Sequence, residues 1–110
     1  MGPNRNPPEG PPLVVCVGIA VLDQVYKVPV LPHGSGKSFA GAYREVGGGP
    51  AANAAVTVAR LGGRAALWAR VGADAVGQRI VMDLAAEGVD VSAVRRIDGA
   101  ASGVSAVIVD

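Results

Sequence analysis

Apolar residues along the chain come in short blocks whose spacing switches between strand and helix periods. Leu13 to Ala20 is a β-branched apolar run without alternation, the pattern of a strand covered on both faces of a sheet. Asp23 follows just past its carboxyl end, where α/β folds tend to place functional side chains; a turn or capping carboxylate is the plainer reading. Gln24 to Val30 and Ser38 to Val46 read as irregular strands joined by a turn over Leu31 to Lys37. Pro29 keeps this pair out of a central sheet and assigns it to a smaller, more exposed one. Pro50 to Leu61 carries Ala or Val on nearly every face and reads as a buried helix stopped by Gly62-Gly63.

Ala65 to Val71 reads as a strand and Gly72 to Gly77 as a turn. Gln78 to Glu87 reads as an amphipathic helix with Ile80, Val81 and Leu84 inward and Gly88 as its stop. Val94 to Ile97 and Ser102 to Val109 are strand-like around an Asp98-Gly99 turn. Alternating strands and helices imply a parallel central sheet in an α/β fold. The apolar run Ala106 to Val109 should want a neighbouring strand, so the chain reads as the beginning of something larger.

Composition narrows the function classes. A length of 110 residues suits one small domain, and a net charge of +1 with 17% charged residues gives no electrostatic reason for a nucleic-acid or acidic-lipid partner. Aromatics make up only 4% of the chain, too few for a base-stacking surface. The single cysteine, Cys16, has no internal disulfide partner and reads as a small core residue, which favours the cytoplasm. Residues 1–12 are rich in Pro, Gly and Asn and read as a disordered leader; residues 13–110 read as the folded part. The apolar run at 13–22 falls well short of the roughly 20 residues that span a bilayer.

The candidate chemistry centres on Gly47-Gly48-Gly49-Pro50-Ala51-Ala52-Asn53. Glycines followed by a helix-initiating proline bring bare backbone N–H groups up to a ligand. Asn53 is the only polar side chain between Gly49 and Thr57, so inside a buried helix it needs a hydrogen-bond partner, and a substrate is one candidate. With the Asp23 carboxylate, Asn53 and Gly48-Gly49 supply what recognition of a polyol requires. Gly34-Ser35-Gly36-Lys37-Ser38 imitates a P-loop, but Leu31 occupies its first glycine position and a strand, rather than a helix, is expected after it. Gly47 to Ala52 also fits G-x-G-x-x-A, and Arg70 stands where a 2′-phosphate would be read, so an NADP- or flavin-binding module is the alternative.

These residues resemble a known family. Gly48-Gly49, Ala51, Asn53, Ala55, Gly62 and Gly72 match the first signature of the ribokinase-like, PfkB-type carbohydrate kinases. Val17-Gly18 with Asp23, Gly72-x-Asp74-x-x-Gly77, Glu87-Gly88-Val89-Asp90 and Ser102-Gly103-Val104 look like the family in the family's order. The resemblance covers Leu13 to Asp110 and implies the N-terminal portion of a Rossmann-like ribokinase fold, with part of a small β-sheet lid over about residues 24–46 and 94–109. It implies sugar binding through Asp23, Gly48, Gly49 and Asn53, a parent activity of ATP- and Mg²⁺-dependent phosphorylation of a ketose or related sugar, and a homodimer formed through the lid. Val21 stands where ribokinase itself has a sugar-contacting asparagine and Pro50 where it has a lysine, which argues against ribose. The opening is similar to ketohexokinases, and Ser35-Gly36-Lys37 with Glu45 to Ala52 looks like bacterial sulfofructose kinases, in which reading Lys37 would pair with an anionic group on the sugar. The family's catalytic Asp lies in a C-terminal Gly-Ala-Gly-Asp motif, and the ATP site is also C-terminal. That motif does not occur in these residues, so the chain is expected to hold part of a sugar pocket and no catalytic residue. A non-catalytic sugar-binding remnant would use the same residues.

Overall fold

A computed structural model describes residues 10–110, so most of the leader expected over residues 1–12 lies outside the described residues. The elements run β1 (Leu13–Val17), β2 (Val21–Lys27), β3 (Ala42–Gly48), α1 (Pro50–Arg60), β4 (Arg64–Trp68), β5 (Arg70–Gly72), α2 (Ala75–Ala86), β6 (Arg95–Ile97) and β7 (Val104–Val109). β1 pairs in parallel with β4, and on the other side of β4 Ala66 bridges to Asp90. The same line of pairing continues as β5 beside β6, again parallel. Small residues let α1 sit close to this sheet: Ala51, Ala52 and Ala55 pack with Ile80 and Leu84 of α2 onto Ala65, Leu67 and Val71. This is the parallel sheet that the strand–helix alternation implies.

A second sheet has the order β3-β2-β7. β2 runs antiparallel to β3, with Val21 opposite Gly48, and parallel to β7, with Leu22 opposite Val104. Leu22 is buried in the common core, and Arg79 of α2 reaches Glu45 of β3 at 3.1 Å, so the small sheet is tied to the helical layer. The chain enters this sheet directly from β1 through Gly18 to Ala20.

Several expectations shift. The run Leu13 to Ala20 is not one strand covered on both faces: it breaks after Val17, and Leu13, Val14, Val15 and Val17 are exposed while Cys16 packs against the core. Pro29 and Pro32 supply no N–H to the ladder, so β2 ends at Lys27, and β3 starts only at Ala42, later than the expected Ser38. At its other end β3 runs on through Gly47 and Gly48, beyond the expected Val46. The helix expected from Gln78 begins at Ala75, because the Asp74 side chain caps it by accepting from the Gly77 N–H at 2.8 Å. The strands flanking Asp98-Gly99 go to different sheets, β6 beside β5 and β7 beside β2, so of residues 94–109 only Val104–Val109 belongs to the small sheet.

Helix α1 is also not buried all round. Asn53, Thr57 and Arg60 form an exposed polar stripe along it, and Arg60 pairs with Glu87 across the gap to α2 at 2.5 Å. The guanidinium and the carboxylate stabilise each other's charged forms, raising the Arg60 pKa and lowering that of Glu87.

Candidate functional site

Asp23 is the third residue of β2 and half-buried. Its neighbours across the two ladders are Val46 of β3 and Ser105 of β7. The Ser105 hydroxyl donates to Asp23 Oδ1 at 2.5 Å. On the other side the carboxylate lies against the backbone of Gly48, where a Cβ would collide with both carboxylate oxygens. The group is therefore held between a hydroxyl donor and a bare backbone. Pinning of this kind gives a carboxylate a fixed direction in which to accept hydrogen bonds.

Gly49 is the N-cap of α1 with φ 97°, a conformation that a side chain disfavours, and a Cβ there would meet the Ile19 carbonyl oxygen at 2.5 Å. It offers no side-chain cap, so the helix begins without an internal acceptor for its first-turn N–H groups. Asn53 stands one turn in, its N–H bonded to the Gly49 carbonyl at 2.9 Å. Its side chain is exposed, so the burial cost expected for it does not arise, and its amide makes no hydrogen bond among the described residues. Gly48 and Asn53 line a groove of about 580 Å³ between α1, α2, the start of β2 and the end of β3. Thr57, Arg60, Asp83 and Glu87 supply its polar wall.

The structure thus brings Asp23, Gly48 and Gly49 together, with Asn53 adjoining through Gly48. Asp23 does not itself line the groove; its carboxylate adjoins Gly48, which lines the groove together with Asn53. Lys37 is not brought to them. It is exposed in the connection between β2 and β3, which leaves the sheet at the Lys27–Ala42 end of the ladder, away from the Val21–Gly48 end where Asp23 lies.

A second polar cluster supports the first. Asp74 accepts from the Ser102 hydroxyl at 2.6 Å and from the Ser102 N–H at 2.9 Å, in addition to the Gly77 N–H. The Ser102 oxygen in turn accepts from the Gly72 N–H at 2.8 Å. These donors, the Ser102 hydroxyl foremost, hold the Asp74 carboxyl down to about 2. Immediately downstream the Gly103 carbonyl receives the Leu22 N–H at 3.0 Å, so the cluster fixes the point at which β7, and with it Ser105, joins the small sheet. Asp74, Ser102 and Ser105 are contributors that the sequence alone does not single out. Asp74 and Ser102 stood in motifs without an assigned role, and the partner of Ser105 lies 82 residues away.

No group of three or more His, Cys, Asp or Glu side chains able to hold a metal ion occurs among the described residues. The dinucleotide alternative loses its structural context: the glycines follow β3, which pairs antiparallel with β2 in the small sheet, whereas that fingerprint joins a strand of the parallel sheet to its helix.

The sequence pattern of the pfkB family carbohydrate kinases matches residues 11–110. The chain belongs to the pfkB family. It is 34% identical over 97 residues to an ATP-dependent ribose-1-phosphate kinase of Halopiger xanaduensis, covering 88% of this chain and 33% of that protein. A protein of Agrobacterium tumefaciens provisionally named a ribokinase superposes with a TM-score of 0.87 at 42% identity, over 92% of this chain and 33% of the other. The ribokinase of Arabidopsis thaliana, solved with ribose and ATP, superposes with a TM-score of 0.74 at 32% identity, over 89% of this chain and 32% of the other. The pfkB chain described here therefore spans about a third of the length of these relatives, and its architecture is the N-terminal part of the ribokinase fold.

Proposed function

We propose that this chain supplies the sugar-binding portion of an ATP-dependent kinase that phosphorylates a hydroxyl of a ketose or related sugar. The observation that carries the reading is the Asp23 carboxylate fixed between Gly48 and Ser105, beside the uncapped start of α1 and the free amide of Asn53. A fixed acceptor, an amide and backbone N–H groups are what a polyol needs. In this reading Asp23, Gly48, Gly49 and Asn53 bind the sugar. In the same proposal ATP and Mg²⁺ are held by residues outside this chain. Phosphoryl transfer depends on a positioned base and charge stabilisation at the phosphates, and these residues orient only the acceptor sugar. A homodimer through the small sheet and a cytoplasmic location belong to the same proposal; no described helix is long and apolar enough to cross a membrane.

The purified 110-residue chain is expected to release no ADP above background from ATP, Mg²⁺ and D-fructose or D-ribose in a coupled assay. ATP-dependent sugar phosphorylation by this chain alone would overturn the division of labour.

Lys37 is proposed to pair with an anionic group on the substrate, the connection between β2 and β3 being long enough to bend toward the sugar. Lys37→Ala should then weaken binding of a phosphorylated or sulfonated ketose about 5- to 10-fold, the scale of one charge-assisted contact, and leave neutral D-fructose unchanged. Equal changes for both ligands in calorimetric titrations would remove Lys37 from the site.

A further inference from the structure

We infer that Ser105 is a positioning residue for Asp23: its hydroxyl locks one carboxylate oxygen so that the other is presented to a ligand hydroxyl. The inference rests on the sugar-site reading above and adds to it a residue from a different strand. Three observations carry it. Ser105 is the direct register partner of Asp23 across the parallel β2–β7 ladder, so the backbone alone brings the two side chains to one face. The hydroxyl donates to Oδ1 at 2.5 Å, in a half-buried setting where a charge-assisted bond is only partly screened. The opposite flank of the carboxylate packs on the Gly48 backbone, in the space that a Cβ there would take. A bare aspartate at this position would be free to turn about its Cβ–Cγ bond; with Ser105 donating and Gly48 behind it, one orientation survives.

The arrangement also sets what the ligand must offer. A serine hydroxyl has one proton, and here it is given to Asp23. The lone pairs left on Ser105 and the free Asp23 oxygen can only accept, so the ligand must present hydrogen-bond donors to both. Adjacent hydroxyls of a sugar do this; a carbonyl or ether oxygen does not.

The test has a ligand-free arm and a ligand arm, on the same chain. In the first, the Ser105 hydroxyl proton should appear by NMR as a slowly exchanging downfield signal that Ser105→Ala and Asp23→Ala each remove and that Ser105→Thr keeps. In the second, calorimetric titration with D-fructose and with D-ribose should show Ser105→Ala binding about tenfold more weakly and Ser105→Thr within about threefold of the parent, since threonine keeps the oxygen and suits a strand. Thermal unfolding is expected to be little changed in both variants, which separates positioning from a merely structural role. A missing hydroxyl signal, or unchanged sugar affinity in Ser105→Ala, overturns the positioning role. A clear hydroxyl signal in a chain that binds neither sugar overturns the sugar-site reading and leaves the Ser105–Asp23 lock standing.

Discussion

Gly48→Ala should abolish sugar binding while the fold stays in place. The added methyl would occupy the space now filled by the Asp23 carboxylate, and β3 cannot move away because Gly48 is in ladder register with Val21. The carboxylate must turn, breaking its bond to Ser105 and losing its direction toward the ligand. Loss of the charge-assisted hydrogen bond from the sugar to Asp23, together with the neighbouring one to Ser105, corresponds to a fall in affinity on the order of 100-fold. Gly47→Ala is the matched control: one residue earlier on the same strand, its Cβ would meet nothing within 4 Å, and affinity should stay within about threefold. Titration of both variants with D-fructose and D-ribose, alongside far-ultraviolet circular dichroism, checks the pair. Equal losses in both would mean that glycine matters here for strand flexibility and not for the carboxylate.

Asp74→Ala is expected to have the largest effect on stability. It removes the cap of α2 and both bonds to Ser102, leaving the Ser102 and Gly77 N–H groups without their partner. A fall in Tm on the order of 10 °C should follow. The loss should be uneven: amides of β7 should exchange with solvent faster, while those of β4 keep most of their protection. The pH dependence has a defined sign. Asp74 ionises more readily in the folded chain, near 2, than in the unfolded one, so its contribution is fully present above about pH 4 and is lost as pH falls toward 2. Glu87 and Asp90 are lowered as well, by Arg60 and by Ser92, and add a shallower slope of the same sign. Urea unfolding of Asp74→Asn against the parent from pH 5 to 2 should show the parent losing its advantage across that window. A constant difference would mean that the carboxylate acts through geometry alone.

Much of the parallel layer was legible in the sequence, because it is written locally. The Ala-rich run after Pro50, the stops at Gly62 and Gly88, and the inward spacing of Ile80 and Leu84 all signal elements through neighbours within a few residues. Boundaries failed where a side chain acted over distance. Asp74 lengthened α2 by capping it, and Ser102, pinned to Asp74, kept β6 and β7 from joining as neighbours. The helix around Asn53 looked buried because alanine and valine do not show which face meets water, and the polar stripe Asn53, Thr57, Arg60 at helical spacing was the overlooked sign. Asp23 could be singled out from its place after an apolar strand. The role of Ser105 could not, since a serine inside Val104–Val109 reads as ordinary strand alternation until the parallel pairing of β2 with β7 is known.

The central claim is that Asp23, Gly48, Gly49 and Asn53 form one face of a sugar site. Backbone and carboxyl NMR of the chain titrated with D-fructose and with D-ribose tests it most directly. The account predicts saturable shifts confined to these residues and Ser105, absent in Asp23→Ala. Shifts that leave Asp23 and Ser105 untouched and gather on the Thr57, Arg60, Asp83 and Glu87 wall of the groove, or no saturable shifts at all, would contradict it.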